Sequence, residues 1–291
     1  MTLLQAILLG IVQGLTEFIP ISSTAHLVLA SRVMNLSLSA EQLTSSIAVI
    51  QLGTLVAVVV YFIGDIWHIT RAFVYDHFRL LKAGRRDQFN RDNGNSLSHE
   101  AWLGWLVIIG SLPVAIVGLA FKKQIEGSFT KNLWVIAVMM IVVAVLLAIA
   151  EAVGKQQRRM KELGLGDALA VGFAQCLALI PGSSRSGSTI MAGLFAGETR
   201  ETAARFSFLL SMPAIAASGL LELKEALHLL PKDSLTTLLV GTIVSAIVGY
   251  ASIWFLLRFL RTHTTGVFIG YRLIVGIAIL VMLFAGRISP L

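Results

Sequence analysis

The sequence predicts an all-α polytopic membrane protein built from two inverted repeats, each a re-entrant helical hairpin plus three transmembrane helices. Three observations carry that expectation. The chain is 56% hydrophobic and only 13% charged, with a mean hydropathy of +0.82, whereas soluble domains carry about a quarter charged residues. Six segments, 43–63, 102–121, 132–152, 204–222, 235–260 and 267–287, are apolar over roughly the 20 residues that a spanning helix needs. Two further apolar regions, 3–34 and 165–199, are each broken at the middle by polar, proline- and glycine-rich residues.

Taken in order, Met1 to Gly10 has neither the basic start nor the small-residue cleavage site of a signal peptide, so it is expected to be retained. The broken region 3–34 follows. Irregular backbone at membrane depth is tolerated only where protein or a water-filled cavity surrounds it, so this region reads as two half-helices joined by a turn. The first span, 43–63, leads into 64–101, expected to be a solvated cytoplasmic loop with His77 and His99 exposed. Spans 102–121 and 132–152 complete a first unit, 1–152. The second broken region, 165–199, and three more spans form a second unit, 153–291.

The two units share a pattern. Residues 9–24 read LGIVQGLTEFIPISST and residues 171–185 read VGFAQCLALIPGSSR. Gly10, Gln13 and Leu15 match Gly172, Gln175 and Leu177 at an offset of 162. With a slip of one residue, Pro20 matches Pro181, and Ser22-Ser23 match Ser183-Ser184. A hairpin returns to its own side whereas three spans cross over, so the second unit must be inverted. The hairpins then enter from opposite faces and meet near the midplane. Loops on one face carry fourteen Lys and Arg, among them Arg71, Arg158, Arg200, Arg205 and Arg261, against seven on the other. The richer face is expected to be cytoplasmic.

The same rule accounts for the net charge of +7. No basic run is interleaved with aromatics, which excludes nucleic acid as a partner. Trp67, Trp102, Trp105, Trp134, Tyr61 and Tyr271 sit near segment ends and read as an interfacial belt. The lone Cys176 reads as a buried, inert thiol.

The chemistry lies in the two breaks. PGSSRSGST, Pro181 to Thr189, is rich in the small residues that let backbone N–H groups converge on an anion. Its hydroxyls, Ser183, Ser184, Ser186 and Thr189, are candidate phosphate contacts, with backbone bonding the alternative for Thr189. Arg185 stands at its centre, where a guanidinium is expensive and suits phosphate oxygens; capping or snorkelling is the alternative. QGLTEFIPISSTAH, Gln13 to His26, supplies Gln13, Glu17, Ser22, Ser23, Thr24 and His26. Ser23 and His26 are one helical turn apart, so both can share a face as an activated nucleophile pair. Glu17 can orient His26, move a proton or bind a hard divalent cation. The structural alternatives are that Ser22 or Ser23 caps a half-helix, that His26 is a satisfied buried histidine, and that Glu17 pairs with Arg185. A Glu/Ser/His set facing an Arg-centred turn points to phosphoryl chemistry on a lipid.

These two motifs resemble the signatures of the undecaprenyl pyrophosphate phosphatases, the bacitracin-resistance membrane proteins, and ARFSFLLSMP at 204–213 extends the resemblance over nearly the whole chain. Gln13, Ala25 and Ser183 are modest departures, and 64–101 is long for the family. The resemblance implies a multi-pass protein of the bacterial inner membrane that hydrolyses undecaprenyl pyrophosphate to the monophosphate carrier lipid. It also implies dependence on a divalent cation, Mg2+ or Ca2+. By position it implies catalytic roles for Glu17, Ser23, His26 and Arg185, with Glu17 also the metal residue. The mouth of the site is expected on the outer face, and a homodimer is an allowed assembly. Either Ser23 attacks phosphorus or His26 activates water. The rival from another class is a polyprenyl-phosphate transporter or flippase, which needs the inverted repeats and the arginine but no nucleophile.

Overall fold

The computed structural model describes residues 1–36, 38–82, 97–121, 132–229 and 234–290, which contain eleven α-helices. The first hairpin is α1 (Leu3–Phe18) and α2 (Ser23–Val33). A capping box formed by Thr2 and Gln5 starts α1, satisfying two of the N–H groups that a helix start leaves open. Then come α3 (Ala40–Tyr61), α4 (Ile63–Lys82), α5 (His99–Ala120) and α6 (Leu133–Val153). Ser39, Ser98 and Asn132 cap the starts of α3, α5 and α6 through their side-chain oxygens. The second hairpin is α7 (Leu165–Cys176), a short 3-10 turn (Leu177–Leu179) and α8 (Arg185–Phe195). The chain ends with α9 (Arg200–Leu229), α10 (Ser234–Leu260) and α11 (Gly266–Phe284).

Six helices, α3, α5, α6, α9, α10 and α11, are long and apolar enough to cross a membrane. They coincide with the six predicted spans, and the two broken regions are each a pair of shorter helices. Among the described residues the regular elements are all helices, and six of this length fit a multi-pass membrane protein.

The expectation for 64–101 needs correction. Its first part is helix α4, and α5 already begins at His99; residues 83–96, with Arg85, Arg86 and Arg91, lie outside the described residues. The helix packs on α5 through Ile69 and Phe73, which lie against Gly104. His77 is half-buried rather than exposed: one ring nitrogen bonds the Phe73 carbonyl at 2.6 Å, and the other accepts the Trp105 indole N–H at 3.1 Å. His99 too is only half-exposed. Asp76 accepts the Ser98 N–H at 2.7 Å. Hydrogen bonds from Ser98 hold that carboxyl below its ordinary range.

Packing places the hairpins reciprocally. The arm α1 lies along α10, a helix of the second unit, and the arm α7 lies along α5, a helix of the first. Each contact is made backbone to backbone at a glycine. Gly10 meets the Gly241 carbonyl, and Gly172 meets the Gly110 carbonyl, in both cases too close to admit a Cβ. Apolar attraction between helices is weak where lipid is the alternative solvent, and close approach at small residues takes its place. The helices α3 and α9 pair, as do α6 and α11. Phe18, Phe62 and Phe208 interlock at the core, with centroids of 5.2 Å for Phe18–Phe208 and 6.4 Å for Phe62–Phe208. Cys176 is half-buried, its thiol directed at the Gly172 carbonyl.

Candidate active site

Both hairpins turn in the same way. Ser22 caps α2 and Ser184 caps α8, each accepting a backbone N–H three residues on, from Ala25 at 3.4 Å and Gly187 at 3.1 Å. Both take a positive φ, 78° and 66°, a region where a non-glycine residue costs about 1–3 kcal/mol unless its surroundings impose it. They are 162 residues apart, so the backbone equates Ser22 with Ser184 and Ser23 with Arg185 without the one-residue slip, which the Pro20–Pro181 match alone still requires. Ser23 and Arg185 are therefore both the first residue of a half-helix, where N–H groups and the helix dipole favour an anion.

The convergence of the two motifs is direct. Glu17, at the end of α1, accepts Arg185 Nη2–H on Oε1 at 2.6 Å, across 168 residues of sequence. Its Oε1 also accepts Gln51 Nε2–H at 3.2 Å, and its Oε2 accepts Gln13 Nε2–H at 2.8 Å. The pair is largely sequestered, with side-chain exposures of 15% for Arg185 and 5% for Glu17. Charge-assisted bonds are what make such burial tolerable. Arg185 Nη1 reaches the Ser211 carbonyl at 3.4 Å, a long contact that leaves this nitrogen available. Ser186 donates to the Ile19 carbonyl of the first hairpin at 3.3 Å and shares a 3.2 Å bond with Ser184 Oγ.

Sequence reasoning passed over Arg272, on α11, which organises the whole junction. Fully buried, it donates to five carbonyls: Nε to Met140 at 3.2 Å, Nη1 to Pro20 at 3.3 Å, and Nη2 to Met139, Gly182 and Ser183 at 3.3, 3.0 and 3.1 Å. One guanidinium thus holds the turns just ahead of both half-helices. An arginine inside an apolar span was itself the signal. Gln51, a lone amide in the span 43–63, carried a fainter one.

Not every expected contact is available to a ligand. Ser183 and Thr189 are completely buried. The Ser183 hydroxyl donates to the Ile180 carbonyl at 2.8 Å, and that of Thr189 donates to the Arg185 carbonyl at 2.7 Å and shares a bond with Ser207 Oγ at 2.5 Å. Ser22 is buried as a cap. Ser23 is half-exposed and Thr24 exposed, and neither hydroxyl bonds anything among the described residues. His26 lies one turn beyond Ser23, but its ring nitrogens bond the Ser22 carbonyl and Tyr271 Oη, each at 2.7 Å. Tyr271 is therefore not simply part of an interfacial belt.

For a divalent cation, no group of three or more His, Cys, Asp or Glu side chains is assembled among the described residues. Glu17 nevertheless has a neighbour suited to a hard cation: Gln13 Oε1 is buried without a hydrogen-bond partner, while its Nε2 bonds Glu17. One carboxylate, one amide oxygen and the oxygens of an incoming phosphate are a donor set of the kind Mg2+ takes. Glu17 and Gln13 would supply two oxygens to such a cation, the others coming from outside the chain.

The family model described as bacitracin resistance protein BacA matches residues 6–278. A protein of Syntrophobacter fumaroxidans named undecaprenyl-diphosphatase is 52% identical over 287 residues, covering 98% of each chain. Proteins of the same name from Mycolicibacterium vanbaalenii and Nocardia farcinica are 46% and 44% identical; the alignments cover 100% of both chains in the first case, and 99% of this chain and 98% of the relative in the second. With a match of this length and identity, and with both sequence motifs meeting at one buried junction, the chain belongs to the bacitracin resistance protein BacA family.

Proposed function

We propose that the chain is an undecaprenyl-diphosphatase: an integral membrane enzyme that hydrolyses undecaprenyl pyrophosphate to undecaprenyl phosphate and phosphate, returning the carrier lipid to cell-wall synthesis. The observation that carries this is the Glu17–Arg185 junction between the hairpins, with Ser23 opening α2 as Arg185 opens α8. The reading is supported by full-length relatives bearing that name, and bacitracin resistance accords with the family description.

In this reading the prenyl tail stays in the bilayer and the pyrophosphate enters between the hairpin tips. Arg185, which keeps one nitrogen weakly engaged, and the N–H groups opening α2 and α8 receive the phosphoryl oxygens. Stabilising that charge is the main lever in phosphoryl transfer. Ser23 Oγ attacks the terminal phosphorus, the P–O bond to the bridging oxygen breaks, and undecaprenyl phosphate departs. His26, one turn on, serves as base for the serine proton once Tyr271 Oη leaves its Nε2, and water then releases phosphate from the serine. A divalent cation held by Glu17 and Gln13 would neutralise phosphate charge. Ser184 and Ser186 shape the Arg185 turn, and the exposed Thr24 is a further phosphate contact in this reading.

The reciprocal packing of α1 on α10 and α7 on α5, together with the matched caps Ser22 and Ser184, supports two inverted repeats. With the Lys- and Arg-rich face cytoplasmic, the mouth of the first hairpin opens outward, on the outer side of the bacterial inner membrane.

The test is phosphate release from a long-chain polyprenyl pyrophosphate by the purified protein in detergent, where transport is impossible. Turnover by wild type and loss in Arg185→Ala are expected. Absence of turnover with intact folding would favour a carrier of anionic lipid. Full activity in Ser23→Ala would exclude the serine as nucleophile and leave a His26-activated water.

A further inference from the structure

We propose that α4 lies in the plane of the membrane surface and holds anionic phospholipid. Its outer face is divided lengthwise, with an apolar half for the acyl chains and a cationic half, carrying Arg71 and Lys82, for the headgroups.

Helix α4 is not among the six helices long and apolar enough to cross a membrane, yet its neighbours hold it at one. It begins one residue after α3, with Phe62 between them. Its contacts with α5 fall at the start of that helix: Asp76 with the Ser98 N–H, Ile69 and Phe73 with Gly104, and His77 with Trp105. Asp65, in its first turn, accepts Arg205 Nη2–H at 2.9 Å, near the start of α9. These are the ends of three spans, so α4 runs along the rim of the bundle, at the level where the spans leave the hydrocarbon.

The faces of α4 follow from a helical step of about 100° per residue. Ile66, Ile69, Phe73 and Asp76 turn toward the bundle. On the outer side Ile63, Trp67, Val74, Phe78 and Leu81 fall within an arc of about 60°, and each is between 47% and 79% exposed. A contiguous apolar row of this kind marks a membrane or partner surface rather than one facing water. Arg71 and Lys82, both exposed, stand immediately beside it, followed by the half-buried Arg79. The two acids of α4, Asp65 and Asp76, are on the bundle side and engaged there, so no carboxylate of α4 offsets the cationic half.

An anionic phospholipid satisfies both halves at once, its chains against the row and its headgroup against the two cations. A zwitterionic lipid matches the row alone. A second copy docked two-fold on the same face would bring the cations of both copies together, which argues for lipid as the occupant.

The experiment uses the full-length protein in vesicles of equal phosphatidylcholine and phosphatidylglycerol, one of them carrying a doxyl quencher on its acyl chain. An NBD fluorophore is attached to Val74→Cys, in the row, or to His68→Cys, about 120° further round, in a Cys176→Ser background; Leu81→Cys repeats the first reading at a second position of the row. Doxyl lipid should quench the Val74 and Leu81 labels and aqueous iodide should not, with the reverse at His68. Doxyl-phosphatidylglycerol should quench the row at least about twofold more than doxyl-phosphatidylcholine. That preference should vanish in Arg71→Gln/Lys82→Gln, and in about 0.5 M salt, which screens exposed charges. Iodide quenching of the row would place it in water, and a row reached by neither quencher would lie under protein; either result overturns the proposal. Equal quenching by the two lipids, or a preference that survives in the double variant, overturns the assignment of Arg71 and Lys82 to anionic headgroups.

Discussion

Glu198→Gln removes a carboxyl group that is fully buried between α8 and α9, with both oxygens lacking a hydrogen-bond partner among the described residues. The neighbouring guanidinium of Arg158 is already committed to Asp167, at 2.5 and 2.6 Å, and to the Ala196 and Glu162 carbonyls. Burial, with the negative charge of Asp167 added, pushes the Glu198 carboxyl up to about 8 from an ordinary 4.5. The folded chain therefore holds a proton that the unfolded chain releases above about pH 4.5. Stability is then full at low pH, falls as pH rises through that window, and levels off above about pH 8. At about 1.4 kcal/mol per pH unit, the loss between pH 5 and 7.5 is about 3 kcal/mol, to order of magnitude. Glutamine mimics the protonated acid and does not titrate.

The assay is thermal unfolding in detergent, followed by tryptophan fluorescence, from pH 5 to 9. Wild type and Glu198→Gln should melt together at pH 5 and diverge above pH 6, with the variant higher by up to about 5–10 °C at pH 8.5. Parallel melting temperatures across that range would refute the reasoning, since they would mean that the carboxyl is either solvated or paired.

Three other outcomes are expected. Gly10→Ala and Gly172→Ala each force a helix pair apart at a backbone contact, and should lower stability by about 1–3 kcal/mol, to similar extents if the two contacts are equivalent. Arg272→Lys keeps the charge but cannot fork across five carbonyls; with charged hydrogen bonds worth about 1.5–3 kcal/mol each, both the melting temperature and turnover should fall steeply. EDTA should abolish phosphate release and added Mg2+ or Ca2+ restore it, whereas Glu17→Gln should not be restored; undiminished release in EDTA would remove the cation from the reaction.

The six spans and the two breaks were legible because each is a local property: a run of apolar residues long enough to cross a bilayer, or its interruption. The meeting of Glu17 and Arg185 was legible only as an alternative, because pairing across 168 residues of sequence depends on how the two hairpins pack. Helix α4 was not, because it mixes Arg71, Arg79 and Lys82 with Trp67, Phe73 and Phe78, and a search for apolar runs sees only its charges. It is a helix because Ile69 and Phe73 find Gly104 on α5.

What the sequence by itself determined is the class of protein, its family and the residues among which phosphoryl chemistry must be sought. The tertiary structure decided which of those residues face the junction. Helix phase turns Ser183 and Thr189 inward and leaves Ser23 free, a distinction that hydroxyl content cannot make. It also decided that Gln51 touches Glu17, Tyr271 touches His26, and Arg272 ties the two hairpin turns together. Their partners lie 34, 245 and as many as 252 positions away, and a polar side chain in an apolar helix becomes readable only when the packing shows which carboxylate, imidazole or backbone group it meets.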